Sequence, residues 1–123
     1  MEDYRESLEK VSSELRLVLY EQDWGIANAD YKRIPEFIQY FNRKETQLNE
    51  YFVCELTELV IASFNDFLVE GHKDTELIQQ FNRFVDYLMN NEKCRKTVSY
   101  WKRISQNNLE EFPVGDWLEL RKK

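Results

Sequence analysis

The sequence predicts an all-α fold, a single-domain irregular or orthogonal bundle of about five helices with a central antiparallel hairpin. Helix breakers are rare, since the 123 residues include only three glycines and two prolines. Apolar residues recur at spacings of three and four, the period of an amphipathic helix. The length suits one domain, and the 42% of hydrophobic residues can form a core without a disulfide. Residues 1–123 are therefore predicted to form a single helical domain.

The first predicted helix runs from about Tyr4 to Trp24. Its apolar stripe alternates spacings of four and three along Tyr4, Leu8, Val11, Leu15 and Val18. Gly25 is placed to end this helix, because glycine commonly follows the last helical residue. Pro35 marks the start of a short second helix.

The third and fourth predicted helices, at about 46–70 and 75–90, have the strongest patterns. One broad apolar face of the third carries Leu48, Phe52, Leu56, Leu59, Val60, Phe64 and Phe67. Gly71 is expected to end the third helix, and Asp74 or Thr75 to cap the fourth. The short connection between them predicts the antiparallel hairpin at the centre of the bundle.

A fifth helix is predicted from about Glu92 to Gln106, where Asn107 and Asn108 interrupt the pattern. The C-terminal tail, 107–123, is rich in apolar residues but has no clear period. We expect it to pack across the bundle.

Charge is sorted along the chain. Residues 45–92 contain ten carboxylates and two cations, a net charge of −8, whereas residues 93–103 contain five cations and no acid. The whole chain has a net charge of −6, which disfavours general affinity for nucleic acid or an anionic membrane. The longest apolar runs are only three or four residues, so no membrane span is predicted.

The residues needed for catalysis are scarce. His72 is the only histidine, and we interpret it as an exposed loop side chain. No phosphate-binding glycine motif and no histidine-based metal motif occurs. The two cysteines, Cys54 and Cys94, are expected to be packed thiols. We predict that the protein is not an enzyme and has no catalytic residue, cofactor or metal site, with a carboxylate-only magnesium site as a minor alternative.

Three surfaces are candidates for binding a partner. On the third helix, a spacing of 100° per residue places Tyr51, Glu55, Glu58 and Asp66 in one band opposite the apolar face. Two interpretations remain open: an ordinary solvated helix back, or an acidic surface that contacts a basic partner.

The second candidate surface lies on the first helix, where Leu17, Tyr20 and Trp24 share a side away from the apolar stripe. It is either covered by another segment or exposed as an aromatic anchor for a partner. The third surface lies on the fifth helix, where Lys93, Lys96, Tyr100 and Arg103 share one face. Cations interleaved with an aromatic ring are typical of proteins that follow a phosphate backbone.

Two functions follow from these surfaces. In size, acidity and missing catalytic residues, the chain is similar to immunity and antitoxin proteins, which neutralise toxins that attack nucleic acid. That similarity implies a non-enzymatic protein–protein interaction module that masks a basic surface of a protein partner, such as a toxin. The alternative is a small nucleic-acid-associated regulator that uses the basic face of the fifth helix. With no signal peptide, a cytoplasmic location is expected, and monomer or homodimer stays open.

Overall fold

The computed structural model describes residues 3–20 and 22–120 and confirms the all-helical fold class. This part of the chain contains seven α-helices and no strand, so the predicted count of about five was too low. The helices are α1 (Tyr4–Leu15), α2 (Trp24–Ala27), α3 (Ile34–Lys44), α4 (Glu50–Val69), α5 (Thr75–Met89), α6 (Arg95–Asn107) and α7 (Val114–Leu120). Short 3-10 turns precede α3 at Tyr31–Arg33 and α6 at Glu92–Cys94.

Helix α1 ends nine residues before the predicted end at Trp24. Arg16 adopts the left-handed conformation at φ 56°, and the backbone N–H of Leu17 bonds to the carbonyl of Ser12 at 2.8 Å. This pattern satisfies the last carbonyls of a helix and turns the chain away. The side chain of Asn28 then holds both backbone groups of Val18 at 3.0 Å, which keeps the segment after α1 out of a helix.

Helix α4 lies at the centre of the bundle and contacts α1, α2, α3, α6 and α7. Twelve of its twenty residues are buried. A helix that is apolar around most of its circumference must be covered on all sides. Asn49 caps its first turn by accepting a hydrogen bond from the Tyr51 backbone at 2.9 Å.

Gly25 lets α2 lie directly on the backbone of α4. A Cβ atom on Gly25 would lie 2.8 Å from the carbonyl oxygen of Glu55 and 2.9 Å from the nitrogen of Leu59. Only glycine permits so close an approach. Gly25 lies inside α2. The prediction that it ends the first helix was wrong.

The two helices of the predicted hairpin form close to their expected bounds. Gly71, at φ 75°, lies in the connection after α4, and the side chain of Asp74 caps α5 by accepting from the Leu77 backbone at 3.1 Å. The rings of Phe64 and Phe81 stack at 3.9 Å and join the two helices. The antiparallel direction of the hairpin and the orthogonal arrangement of the bundle stay predictions.

The end of the described chain forms α7, a helix that the sequence pattern did not predict. Gly115 packs against α6, where a Cβ atom would lie 2.1 Å from the Cβ of Ser105. Asn65 of α4 donates to the carbonyl of Glu111 at 2.9 Å and accepts from the backbone of Val114 at 3.1 Å. These bonds attach the segment before α7 to the central helix.

Candidate partner-binding site

The band of Tyr51, Glu55, Glu58 and Asp66 is not the continuous solvated strip that one interpretation expected. Tyr51 is 70% exposed and the three acids are partly buried, whereas Ala62, which lies between Glu58 and Asp66 on the same side of the helix, is only 3% exposed. The reason is α2 and the segment after it, which cross this side of α4. The backbone of Asp30 donates to the hydroxyl of Ser63 at 2.9 Å and holds this crossing in place.

Two residues of the band, Glu55 and Glu58, form an acidic cluster with Asp23, which belongs to another element. Asp23 precedes α2 in a left-handed conformation at φ 53°. Because Gly25 brings α2 against α4, the carboxylate of Asp23 lies close enough to raise the pKa of both Glu55 and Glu58. Two elements separated by about thirty residues thus bring three carboxylates within range of one another's charge.

The carboxyl of Glu58 is the most perturbed group of the cluster. Burial raises its pKa from 4.5 to about 7, and the charges of Glu55 and then Asp23 add to this rise. Burial also raises the pKa of Glu55, although the backbone N–H of Gly25 opposes the change. Removing carboxylates from water without a compensating cation favours their protonated form.

Trp101 of α6 lies against Glu58 and is 2% exposed. Its indole N–H faces the Glu58 carboxyl and lowers the pKa of that group. The distance and angle of a full hydrogen bond, however, are met with no acceptor in the described part of the chain. The other two indoles are satisfied, because Trp24 donates to Ser12 at 2.8 Å and Trp117 to Asn82 at 2.8 Å. Trp101 is therefore a buried donor aimed at an acid and left without a bond.

Tyr4 of α1 borders the acidic cluster. Its ring packs edge-on against Phe52 at 5.6 Å. Burial and then the charges of Glu55 and Glu58 raise the pKa of its hydroxyl. Within the described residues, no lysine or arginine acts on the carboxyl groups of Glu55 and Glu58.

Asp66 is not part of the acidic cluster and lies in a separate acidic region. Burial and the charges of Glu70 and Asp30 raise the pKa of its carboxyl. Ala62 is covered between Asp66 and the acidic cluster, so the structure divides the predicted band into two separate acidic regions.

The predicted face of Leu17, Tyr20 and Trp24 does not exist, because α1 ends at Leu15. Trp24 is 1% exposed and belongs to the core, so of the two interpretations it is the covered one that holds for this residue, and Trp24 cannot act as an exposed anchor. Leu17 is partly buried against the core, and Tyr20 is exposed. The chain bends between these residues, and helical spacing no longer relates them.

The predicted basic face is present on α6 in part. Lys96, Tyr100 and Arg103 are exposed, and the guanidinium of Arg103 lies 5.9 Å from the centre of the Tyr100 ring. The side chain of Lys93 lies outside the described residues. Among the described side chains, no ion pair joins α6 to α4. Burial raises the pKa of the Cys54 thiol on α4, and the charge of Lys96 on α6 opposes that rise.

In the described part of the chain, no three His, Cys, Asp or Glu side chains are placed so that they could hold one metal ion. Cys94 is buried and Cys54 partly buried, both as free thiols. The ring of His72 stacks on Tyr31 at 4.3 Å, and its Nε2 atom lies 3.3 Å from Glu70. None of the described helices is long and apolar enough to cross a lipid bilayer.

Sequence reasoning identified Glu55 and Glu58 but missed Asp23, Trp101 and Tyr4. Asp23 precedes α2 without a capping hydrogen bond from its side chain, so no capping signal identifies it, and nothing in the sequence relates Trp101 to Glu58. Comparison of the chain with protein-family models, curated proteins and solved structures found no match.

Proposed function

We propose that this protein is a non-enzymatic interaction module that uses its acidic cluster to hold a basic surface of another protein. Such a role is that of immunity and antitoxin proteins, which mask a basic surface of a toxin. The observation that supports it is the convergence of exposed Asp23 with the partly buried Glu55 and Glu58, with no described cation among the causes that shift the pKa of the two glutamates.

Electrostatics favours a cationic partner over a neutral one. Bringing three carboxylates together raises the free energy of the ionised cluster, and a nearby positive charge lowers it. The net charge of −6 acts in the same direction, because it attracts a basic surface from a distance and speeds the encounter.

Exposed apolar side chains lie on the same elements as the acidic cluster. Tyr51 precedes Glu55 by four residues on α4, so the two share a face. Ile26 follows Gly25 on α2 and is exposed. An aromatic or aliphatic contact beside a desolvated charge is typical of the residues that contribute most to interface energy.

A comparison of charge variants tests this proposal. The tagged protein is used to capture partners from extracts of its source cells, and the captured protein is purified for measurement of Kd. The Glu55→Gln/Glu58→Gln variant should bind that partner at least about tenfold more weakly, because a buried charge pair loses one member. The control, Glu76→Gln/Glu110→Gln, removes the same charge from exposed positions and should change Kd less than about twofold.

Two results would contradict the proposal. One is a captured partner that binds the cluster variant as tightly as the original protein. The other is a captured partner whose affinity does not depend on salt, because an acidic surface that recognises a basic one must weaken as salt rises.

We propose nucleic-acid binding by α6 as the second candidate function. The observation that favours it is the exposed row of Lys96, Tyr100 and Arg103, which lies outside the described ion pairs. The test is the affinity for single-stranded DNA and RNA oligonucleotides between about 50 and 300 mM salt. This function predicts a steep log-linear loss of affinity with salt, abolished by Lys96→Glu/Arg103→Glu. No binding at the lowest salt concentration would exclude it.

A further inference from the structure

We infer that Glu58 is the receptor for one cationic side chain of the partner, an arginine or a lysine. In the complex, the ionised Glu58 carboxylate lies between that side chain and the indole N–H of Trp101. This inference rests on the proposed function and adds to it the contact that recognises the partner and a dependence of binding on pH.

The surroundings of Glu58 support a cationic ligand. The groups that face it are Glu55 on the same helix, Asp23 before α2, the hydroxyl of Tyr4 on α1 and the indole of Trp101 on α6. All of them are acidic or neutral. A positive charge placed here would therefore meet three carboxylates, while the cation Lys96 of α6 acts on Cys54, one turn earlier on α4.

The indole of Trp101 explains why Glu58 is the central residue. A buried N–H without an acceptor costs on the order of 1–3 kcal/mol. A protonated carboxyl group accepts hydrogen bonds poorly, whereas an ionised carboxylate accepts several. The indole therefore finds a strong acceptor only when Glu58 loses its proton, and a bound cation favours that loss.

The step conserves atoms and charge in a simple way. In the free protein near pH 7, about half of the Glu58 carboxyl groups carry a proton, since the pKa is about 7. When the cation binds, the O–H bond of the carboxyl breaks and the proton passes to the buffer. The carboxylate then accepts one hydrogen bond from the ligand and one from Trp101.

The chemistry of the cluster fits a protein side chain better than a metal ion. The charges of Asp23, Glu55 and Glu58 act on one another, but no three His, Cys, Asp or Glu side chains among the described residues lie close enough together to hold one metal ion. Divalent ions such as calcium take six or more oxygen ligands. Arginine, by contrast, offers several N–H donors in a fixed fork, and lysine offers three.

The first measurement uses the free protein and needs no partner. In a nitrogen–proton NMR spectrum, the three tryptophans give three indole N–H signals, and Trp101→Phe identifies the one that belongs to Trp101. The Trp101 signal should move downfield as pH rises, with a midpoint near pH 7. In Glu58→Gln it should not move, whereas in the control Glu76→Gln it should behave as in the original protein.

The second measurement uses a hexa-arginine peptide with acetylated and amidated ends as a probe, by calorimetry and by NMR at pH 6 and pH 8. A site with a pKa of about 7 that binds only in its ionised form should hold the peptide about tenfold more tightly at pH 8. Binding at pH 6 should release close to one proton, seen as a heat that depends on the buffer. Binding of the peptide should also move the Trp101 signal downfield, the direction in which it moves as pH rises.

The inference would be overturned if the Trp101 signal did not change with pH. It would also be overturned if the peptide bound Glu58→Gln with the same affinity as the original protein. No binding of the peptide at pH 8 would overturn it as well, because the receptor is then fully ionised. These outcomes are separate from the two that contradict the proposed function, which concern how the affinity of the captured partner depends on the charge of the whole cluster and on salt.

Discussion

Replacing Glu58 with glutamine should stabilise the folded protein at pH 8 and leave its stability nearly unchanged at pH 4. The pKa of this carboxyl is about 7 in the folded state, against 4.5 for an unperturbed group. Between these two values the folded state binds more protons than the unfolded state. The free energy of unfolding therefore decreases as pH rises through this window, and the loss is complete above pH 7.

The size of the effect follows from the shift and from the partial exposure of the side chain. A full shift from 4.5 to about 7 corresponds to about 3.4 kcal/mol at 1.36 kcal/mol per unit. Glu58 is only partly buried, so solvent screens part of this energy, and about 1–2 kcal/mol is the realistic penalty. Glutamine has nearly the same shape and carries no charge, so it removes the penalty without leaving a cavity.

The assay is urea unfolding of the original protein and of Glu58→Gln at several pH values from 4 to 8. The difference in the free energy of unfolding should grow from near zero to about 1–2 kcal/mol over this range. Glu110→Gln, an exposed control, should give a difference within about 0.5 kcal/mol that does not depend on pH. A difference for Glu58→Gln that stays flat, or that favours glutamate as pH rises, would refute the reasoning.

Three further predictions concern the packing of α2 on α4, the attachment of α7 and the basic face of α6. Gly25→Ala should lower the free energy of unfolding by about 2–3 kcal/mol in urea unfolding, because the added Cβ would meet the backbone of α4. Gly71→Ala should lower it by only about 1 kcal/mol in the same assay, because the added Cβ meets nothing within 4 Å and the cost comes from the positive φ alone. Asn65→Ala should cost about 2–4 kcal/mol, since it leaves two backbone groups before α7 without partners, and hydrogen exchange at Val114 should accelerate. Lys96→Glu/Arg103→Glu should change the melting temperature by no more than about 2 °C, because both side chains are exposed; a larger loss would show that α6 depends on them.

The sequence predicted α4, α5 and α6 to within a few residues because their apolar periods are strong. Asp74 and Gly71 also stand where the cap and the end of a helix require them. The first helix was predicted too long for a definite reason. Apolar residues continue past Leu15 at helical spacing, while the residue that ends the helix is Arg16, which has no intrinsic preference for the left-handed conformation.

The candidate site was predictable only in part. Helical geometry alone places Glu55 and Glu58 on one side of α4, since they are three residues apart. It cannot say that this side is covered, because the covering residue, Gly25, belongs to another element. The same limit applies to Asp23 and Trp101, whose relation to Glu58 depends on how separate helices pack.

The order of residues by itself determined the helical content, the apolar faces and the separation of acidic from basic segments. These are local properties, set by the spacing of side chains along one helix. Only the tertiary structure decided that α2 lies on the acidic side of α4 and that a tryptophan from α6 faces the same carboxyl. Close packing between distant segments controls exposure to water, and that exposure makes Glu58 a perturbed acid in place of an ordinary surface charge.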